Sequence, residues 1–267
     1  MGKSSLCLFM ACMLVQPLAA LAGPDADQGM ARVLNIEEPW VENAVYLSSS
    51  RDNNATSGHA WNFGLEWDAA LGDDLGSEID APMVLAQQPV GHAPAALAPI
   101  SAGLKYVPIH WGDGDSENAG VIGGEIEGAW WATPQPANFP GVGSSVTEQL
   151  LVGIRRGTYW IQGQYGITQR ASADARTGWS ANTAVGHRIA KDWVIHMELD
   201  LNRTSVDAYG HTAAGMMLTP QVGWQITPRW QMVLGESFAR VEGQASLATL
   251  TSVLFEYSFQ TDQDDPS

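Results

Sequence analysis

His59-Ala60-Trp61-Asn62-Phe63-Gly64-Leu65-Glu66-Trp67-Asp68-Ala69 is the stretch that decides the fold. Successive side chains of an extended chain point to opposite sides. Trp61, Phe63, Leu65, Trp67 and Ala69 therefore share one face, and Asn62, Gly64, Glu66 and Asp68 share the other. A strand with two tryptophans on one side and two carboxylates on the other separates two very different solvents. Gly72-Asp73-Asp74 then supplies turn residues, and alternation resumes with Leu75, Ile79, Ala81, Met83 and Leu85 against Glu78, Asp80 and Pro82.

The same period runs outward along the chain. Ile100 to Tyr106 sets apolar residues against Ser101, Gly103 and Lys105, and Ile122 to Trp130 sets them against Glu125 and Glu127. Leu150–Ile154 opposes Gln149 and Arg155, Tyr159–Ile167 opposes Gln162 and Gln164, and Trp179–Ile189 opposes Asn182 and Arg188. Trp193–Leu201 opposes His196, Glu198 and Asp200, Leu218–Ile226 opposes Gln221 and Gln225, and Val253–Phe259 opposes Glu256. Weaker strands fit Trp40–Ser48 and Trp230–Val241, which brings the expected number to about twelve.

These runs are often ten residues or more, whereas soluble strands are usually about five or six. About nine to eleven residues, tilted, cross a bilayer. Connection lengths alternate too. Short turns fall at Gly72–Asp74, Arg156-Gly157, Ala190–Asp192 and Thr227–Arg229; longer polar links fall at Ser49–Gly58, Ala86–Pro99, Ala132–Ser144, Gln169–Thr177 and Thr204–Gly215. Outer-membrane barrels keep short turns in the periplasm and long loops outside. An even strand number then puts both termini in the periplasm. Pro108–Asn118 departs from this rhythm, being long and acidic where a short turn is due. Trp193, Trp224 and Trp230 beside short turns, and Trp61, Trp130 and Trp179 at loop ends, suit two interfacial aromatic belts.

The first 22 residues carry Lys3, an apolar run from Leu6 to Leu18 and the small-x-small site Ala20-Leu21-Ala22. This is the pattern of a cleaved signal peptide (1–22), and the run is too short for a membrane-spanning helix. Cys7 and Cys12 both lie in it, so the mature chain carries no disulfide framework or thiolate metal site. The full chain has a formal charge of −16; losing Lys3 without any acid makes it −17. That argues against nucleic acid or anionic headgroups as electrostatic partners. Residues 23–38 are acidic and lack alternation, which reads as a periplasmic segment or a plug. The barrel is expected over 39–259, and 260–267 as a disordered acidic tail.

The segment Phe63-Gly64-Leu65-Glu66-Trp67, through Leu71-Gly72-Asp73-Asp74-Leu75, to Ile79-Asp80-Ala81-Pro82 resembles a hairpin of the meta-pathway phenol-degradation family of outer-membrane barrels. Ile100–Tyr106, the hairpins Val185–Leu201 and Val222–Leu234, and the last strand Phe255-Glu256-Tyr257-Ser258-Phe259 extend the likeness over most of the mature chain. The resemblance implies a transmembrane barrel of transporter type and names no substrate. Such barrels commonly end on the terminal aromatic, whereas here eight residues follow Phe259.

If the apolar faces meet lipid, the polar faces line the lumen, because a charge at the bilayer midplane costs about 2–4 kcal/mol. Glu66, Asp68, Glu78, Asp80, Glu125, Glu127, Glu198, Asp200 and Glu256 then point inward, with Lys105, Arg155, Arg188 and His196. An open interior of that composition would select cations or neutral solutes; a closed one would use the charges to brace its strands. No enzyme signature accompanies the pattern. Gly-x-Ser-x-Gly is absent, His187, His196 and His211 have no Ser two residues on, and the six histidines lack metal spacing. No catalytic residue, metal or cofactor is expected. The expected partners are outer-membrane lipid, the barrel-assembly machinery and an unidentified small solute. The sequence thus points to an all-β transmembrane barrel in a Gram-negative outer membrane, porin-like, acting as a channel or facilitator. A non-conducting structural barrel and a soluble periplasmic β protein are the rival readings.

Overall fold

The computed structural model describes residues 30–52, 59–87, 96–97, 99–112, 116–130, 144–170, 177–205, 212–242 and 247–259. The expected signal peptide and the acidic tail lie outside them. Twelve strands alternate along the described chain. They are β1 (Ala44–Asp52), β2 (His59–Ala70), β3 (Leu75–Asp80, resuming at Met83–Gln87), β4 (Ala96–Leu97, resuming at Ile100–Trp111), β5 (Asn118–Trp130) and β6 (Ser145–Arg156). The second half holds β7 (Tyr159–Arg170), β8 (Thr177–Ala190), β9 (Trp193–Ser205), β10 (Thr212–Thr227), β11 (Trp230–Val241) and β12 (Ala248–Ser258).

Each strand pairs antiparallel with the next, and β1 pairs with β2 on one side and β12 on the other. Val45 is thus flanked by Trp67 and by Tyr257, and the sheet closes on itself. Closure leaves no unpaired edge, which a strand in hydrocarbon requires. The interruption in β3 falls at Ala81-Pro82, where proline has no amide to donate. Register on β2 nonetheless carries straight through, from Glu66↔Asp80 to Phe63↔Met83. Unbroken strands range from 9 residues in β1 to 16 in β10, the lengths a tilted bilayer crossing needs.

Outward faces are apolar as the alternation predicts. Leu47, Ile79, Leu104, Ile126, Leu150, Ile161, Val185, Ile195, Leu218 and Leu234 are all exposed on the outside of the wall. Aromatic residues gather at both rims. Trp193 stacks on Trp224 across β9 and β10 (5.5 Å), and Trp230 packs against Tyr257 (4.8 Å) at the short-turn end. Trp61, Trp130 and Trp179 lie exposed at the opposite rim.

Two local expectations need correction. Pro108–Asn118 is not a long link, because β4 runs on through Pro108 to Trp111 and β5 starts at Asn118. A bulge makes this possible: register moves from Tyr106↔Gly124 to Ile109↔Ile122, so an extra residue sits on β4. An unpaired bulge position accepts a proline that a regular ladder would reject. The connection is then only Gly112–Glu117, and Gly112 supplies the left-handed conformation (φ 72°) that ends β4. Secondly, no strand begins at Trp40. Pairing starts at Ala44, and Trp40 is buried inside the barrel.

Candidate functional site

The interior is not lined by polar side chains alone. In the half of the barrel toward the short turns, Val107 (β4), Val121 (β5), Leu151 (β6), Trp160 (β7), Val194 (β9), Val233 (β11) and Leu254 (β12) are buried on the inner side. Residues Met30–Asn43, which precede β1, lie against this apolar ring. Met30, Ala31, Trp40 and Val41 cluster with Val107, Val121, Trp160 and Val194. Leu34 packs on Ala44, Tyr46, Val233 and Leu254, and Val33 and Ile36 pack with Ala184 of β8. Apolar contact on several sides removes surface from water at about 25 cal/mol per Å² and fixes the segment without a strand ladder.

Three backbone groups of the segment are satisfied by amide side chains from the wall, as burial requires. Gln162 donates to the carbonyl of Ala31 (3.1 Å), the amide of Leu34 donates to Gln221 (3.1 Å), and that of Glu37 donates to Gln164 (3.2 Å). Asn35 donates to Glu198 of β9 (3.1 Å), which also accepts from Gln221 of β10. At the end of the segment, Asn43 accepts from the backbone of Ala70 (3.0 Å) through its side chain and from Phe259 (2.7 Å) through its carbonyl.

Its charges meet the wall's carboxylates. Arg32 is buried between Glu38 (2.5 Å) and Glu66 of β2 (2.9 Å), with its guanidinium 3.5 Å from the centre of the Tyr46 ring. Lys105 of β4 is buried against Glu37. Burial pushes the Glu37 carboxyl up, yet the Lys105 ammonium and then Arg32 outweigh it and hold it below the usual carboxylate range. Burial lifts Glu38 well above that range; Arg32 opposes the shift, and the nearby Glu37 and Glu42 add to it.

The wall residues expected to line the lumen divide into groups. Glu66 and Lys105 pair with the segment as above. Asp68, Glu78 and Glu125 are buried, Asp80 accepts from Ser101 (2.9 Å), and Glu127 stands half-buried beside them, so the acids of β2, β3 and β5 share one side. Glu198 and Asp200 are buried on β9, and His196 meets the edge of Trp160 (5.3 Å). Glu256 is half-buried opposite Tyr46. Arg155 and Arg188 stand apart at the short-turn end. Arg155 donates to the carbonyls of Ser116 (2.6 Å) and Gly157 (3.2 Å), and Arg188 to that of Lys191 (3.1 Å), so both hold turns together.

Sequence reasoning missed Arg32, Glu37 and Glu38 as interior groups, along with the amides that hold the segment. A signal was present. Each inward apolar residue interrupts the alternation, as in Val121-Ile122, Leu150-Leu151, Tyr159-Trp160, Trp193-Val194, Met232-Val233-Leu234 and Val253-Leu254-Phe255. These runs lie toward the short-turn ends of their strands, except Leu150-Leu151 at the middle of β6.

Comparison with known proteins agrees on architecture. An outer membrane channel from Pseudomonas putida F1, called COG4313, superposes with a TM-score of 0.58 at 11% identity, covering 86% of this chain and all (100%) of that one. The NanC porin gives 0.53 at 8% identity, covering 80% of this chain and 99% of its own. The KdgM porin gives 0.50 at 11%, covering 81% and 99%. Identities this low establish the shared barrel fold and nothing finer. No protein-family model matches the chain, so the resemblance to the phenol-degradation family has no such support, and no curated protein matches it either.

Proposed function

We propose that this chain is an outer-membrane channel for a small solute, that the barrel interior is the path, and that residues 30–43 obstruct it until displaced. Both chain ends would face the periplasm, so the segment enters from that side. The observation that carries this reading is the placement of one continuous segment against strands on every side of the interior. It touches β2 through Arg32, β4 through Glu37, β7 through Ala31, β9 through Asn35 and β11 and β12 through Leu34. The path beside it is acidic, which suits a cationic or neutral solute.

The density of these contacts favours one rival, a structural barrel whose segment never leaves. A reversible tether separates the two. Asn35→Cys and Glu198→Cys, introduced into the mature chain where no other cysteine is expected, would be bridged by a short bis-thiosulfonate reagent. Planar-bilayer recordings should show channel events before bridging, their loss after it, and their return with reductant. A protein that inserts but gives no events in any state supports the structural barrel.

A further inference from the structure

We infer that Glu37, Glu78 and Glu125 form a binding site for one divalent cation of the calcium type, bridging the inserted segment and the wall. One carboxylate oxygen from each of the three lies within 4.8 Å of the others. They come from three separate elements: the segment, β3 and β5. The two wall carboxylates lean together over Gly103 of β4. A β-carbon there would stand 2.8 Å from both Cγ and Oε1 of Glu78, and would also strike Oε1 of Glu125. The missing side chain is what lets the two acids converge.

Buried acceptors ordinarily find donors. Glu125 is only 6% exposed and, among the described residues, neither of its carboxylate oxygens meets a donor other than the neighbouring Glu78 carboxyl; Glu78 is 5% exposed and its Oε2 has no other donor either. Two carboxylates placed together, away from water and without donors, repel each other unless a cation or a proton lies between them. Charge decides how much is needed. Three carboxylates contribute −3, the buried Asp68 that also faces Lys105 contributes −1, and Lys105, paired with Glu37, contributes +1, leaving −3. Arg32 also reaches Glu37, but it lies between Glu38 and Glu66, whose two charges exceed its one, so it brings no surplus to the cluster. One divalent ion removes two of those charges and leaves −1, whereas one shared proton leaves −2.

The donor set is oxygen only, which selects a hard cation over zinc or copper. Calcium tolerates irregular coordination completed by water, while magnesium demands a near-ideal octahedron. Because Glu37 belongs to the segment, a bound ion would also help to hold that segment in place. That consequence rests on the obstructed-channel reading; the site itself does not.

The test uses the full mature chain, folded in detergent and stripped with EDTA, and measures equilibrium binding of radioactive calcium. One ion per chain is expected, with an affinity on the order of 10⁻⁴–10⁻³ M, as in extracellular calcium modules. Glu78→Gln and Glu125→Gln should each weaken binding at least tenfold, while Asp192→Asn in an exposed turn should not. Folding is checked by the heat-dependent gel shift, the change in mobility that a folded barrel shows between unheated and boiled samples. If a Gln variant does not fold, Glu125→Asp, which shortens the reach, should weaken binding in its place. Absence of saturable binding, binding indifferent to these variants, or proton uptake at pH 7 without calcium uptake would each overturn the inference. Binding is read without any conductance, so silence in bilayers leaves this result standing, and channel activity without calcium binding removes only the site.

Discussion

Arg32→Ala removes the one cation that lies between Glu38 and Glu66, at 2.5 and 2.9 Å. Both carboxylates are left within the barrel, Glu38 fully and Glu66 partly buried, and the Tyr46 ring loses the guanidinium 3.5 Å above it. Removing one member of a buried pair costs about 3–5 kcal/mol, because the remaining charge has neither water nor partner. Glu66 keeps 20% of its side chain exposed, which screens part of this, so the lower end, about 3 kcal/mol, is the working figure. The cost falls on the seated segment and not on the wall, whose strands stay joined by their ladders. At about 1.4 kcal/mol per factor of ten, the displaced population should rise roughly a hundredfold. Ile36→Cys, normally buried beside Ala184, reports it through its rate of reaction with a water-soluble maleimide. The expected order is Arg32→Ala fastest, Arg32→Lys intermediate and the parent slowest, since an ammonium is a point charge that cannot bridge two carboxylates as a planar guanidinium does. A properly inserted Arg32→Ala barrel that labels at the parent rate would show that the pairing does not hold the segment.

Other outcomes follow from the same geometry. Gly153→Val should expel the segment by steric means alone, because a β-carbon there would lie 2.8 Å from both Met30 and Pro39; the same thiol assay should accelerate while the heat-dependent gel shift persists. Replacing Glu66, Glu125 and Glu198 together with Gln should reduce cation preference in bilayers, and high salt should weaken the preference of the parent as screening shortens to a few ångströms. Anion preference in the parent would refute an acid-lined path. Tyr257→Ala with Phe259→Ala removes an aromatic chain that packs Trp230 on Tyr257 (4.8 Å) and Tyr257 on Phe259 (4.9 Å), and should lower the inserted amount several-fold in quantitative blots of outer membranes. Deletion of Thr261–Ser267 should leave it unchanged, and equal insertion of both variants would rule out the terminal strand as the assembly signal.

The wall of this protein was legible in its sequence because a strand between lipid and lumen writes its environment into every second residue. Trp61 to Ala69, Leu75 to Leu85 and Trp193 to Asn202 each carry that pattern locally, without reference to any other part of the chain. Strand number, the alternation of short and long connections and the aromatic rims follow from it. The bulge at Pro108 was hidden because proline reads as a breaker wherever the partner strand is unknown, and only the register against β5 shows the extra residue being absorbed. The interior was legible only in part. Alternation could say that Glu66, Lys105 and Glu198 face inward, but not that Arg32, Glu37 and Asn35 meet them there. Those contacts join residues 34, 68 and 163 positions apart, and they exist because closure brings distant strands around one narrow axis. The segment from Met30 to Asn43 has no period of its own, since it packs on a curved surface contributed by many strands and not on a flat one. Its place was decided by the closed barrel: an inner wall with an apolar ring near the short turns and carboxylates beyond it accepts a chain of matching order.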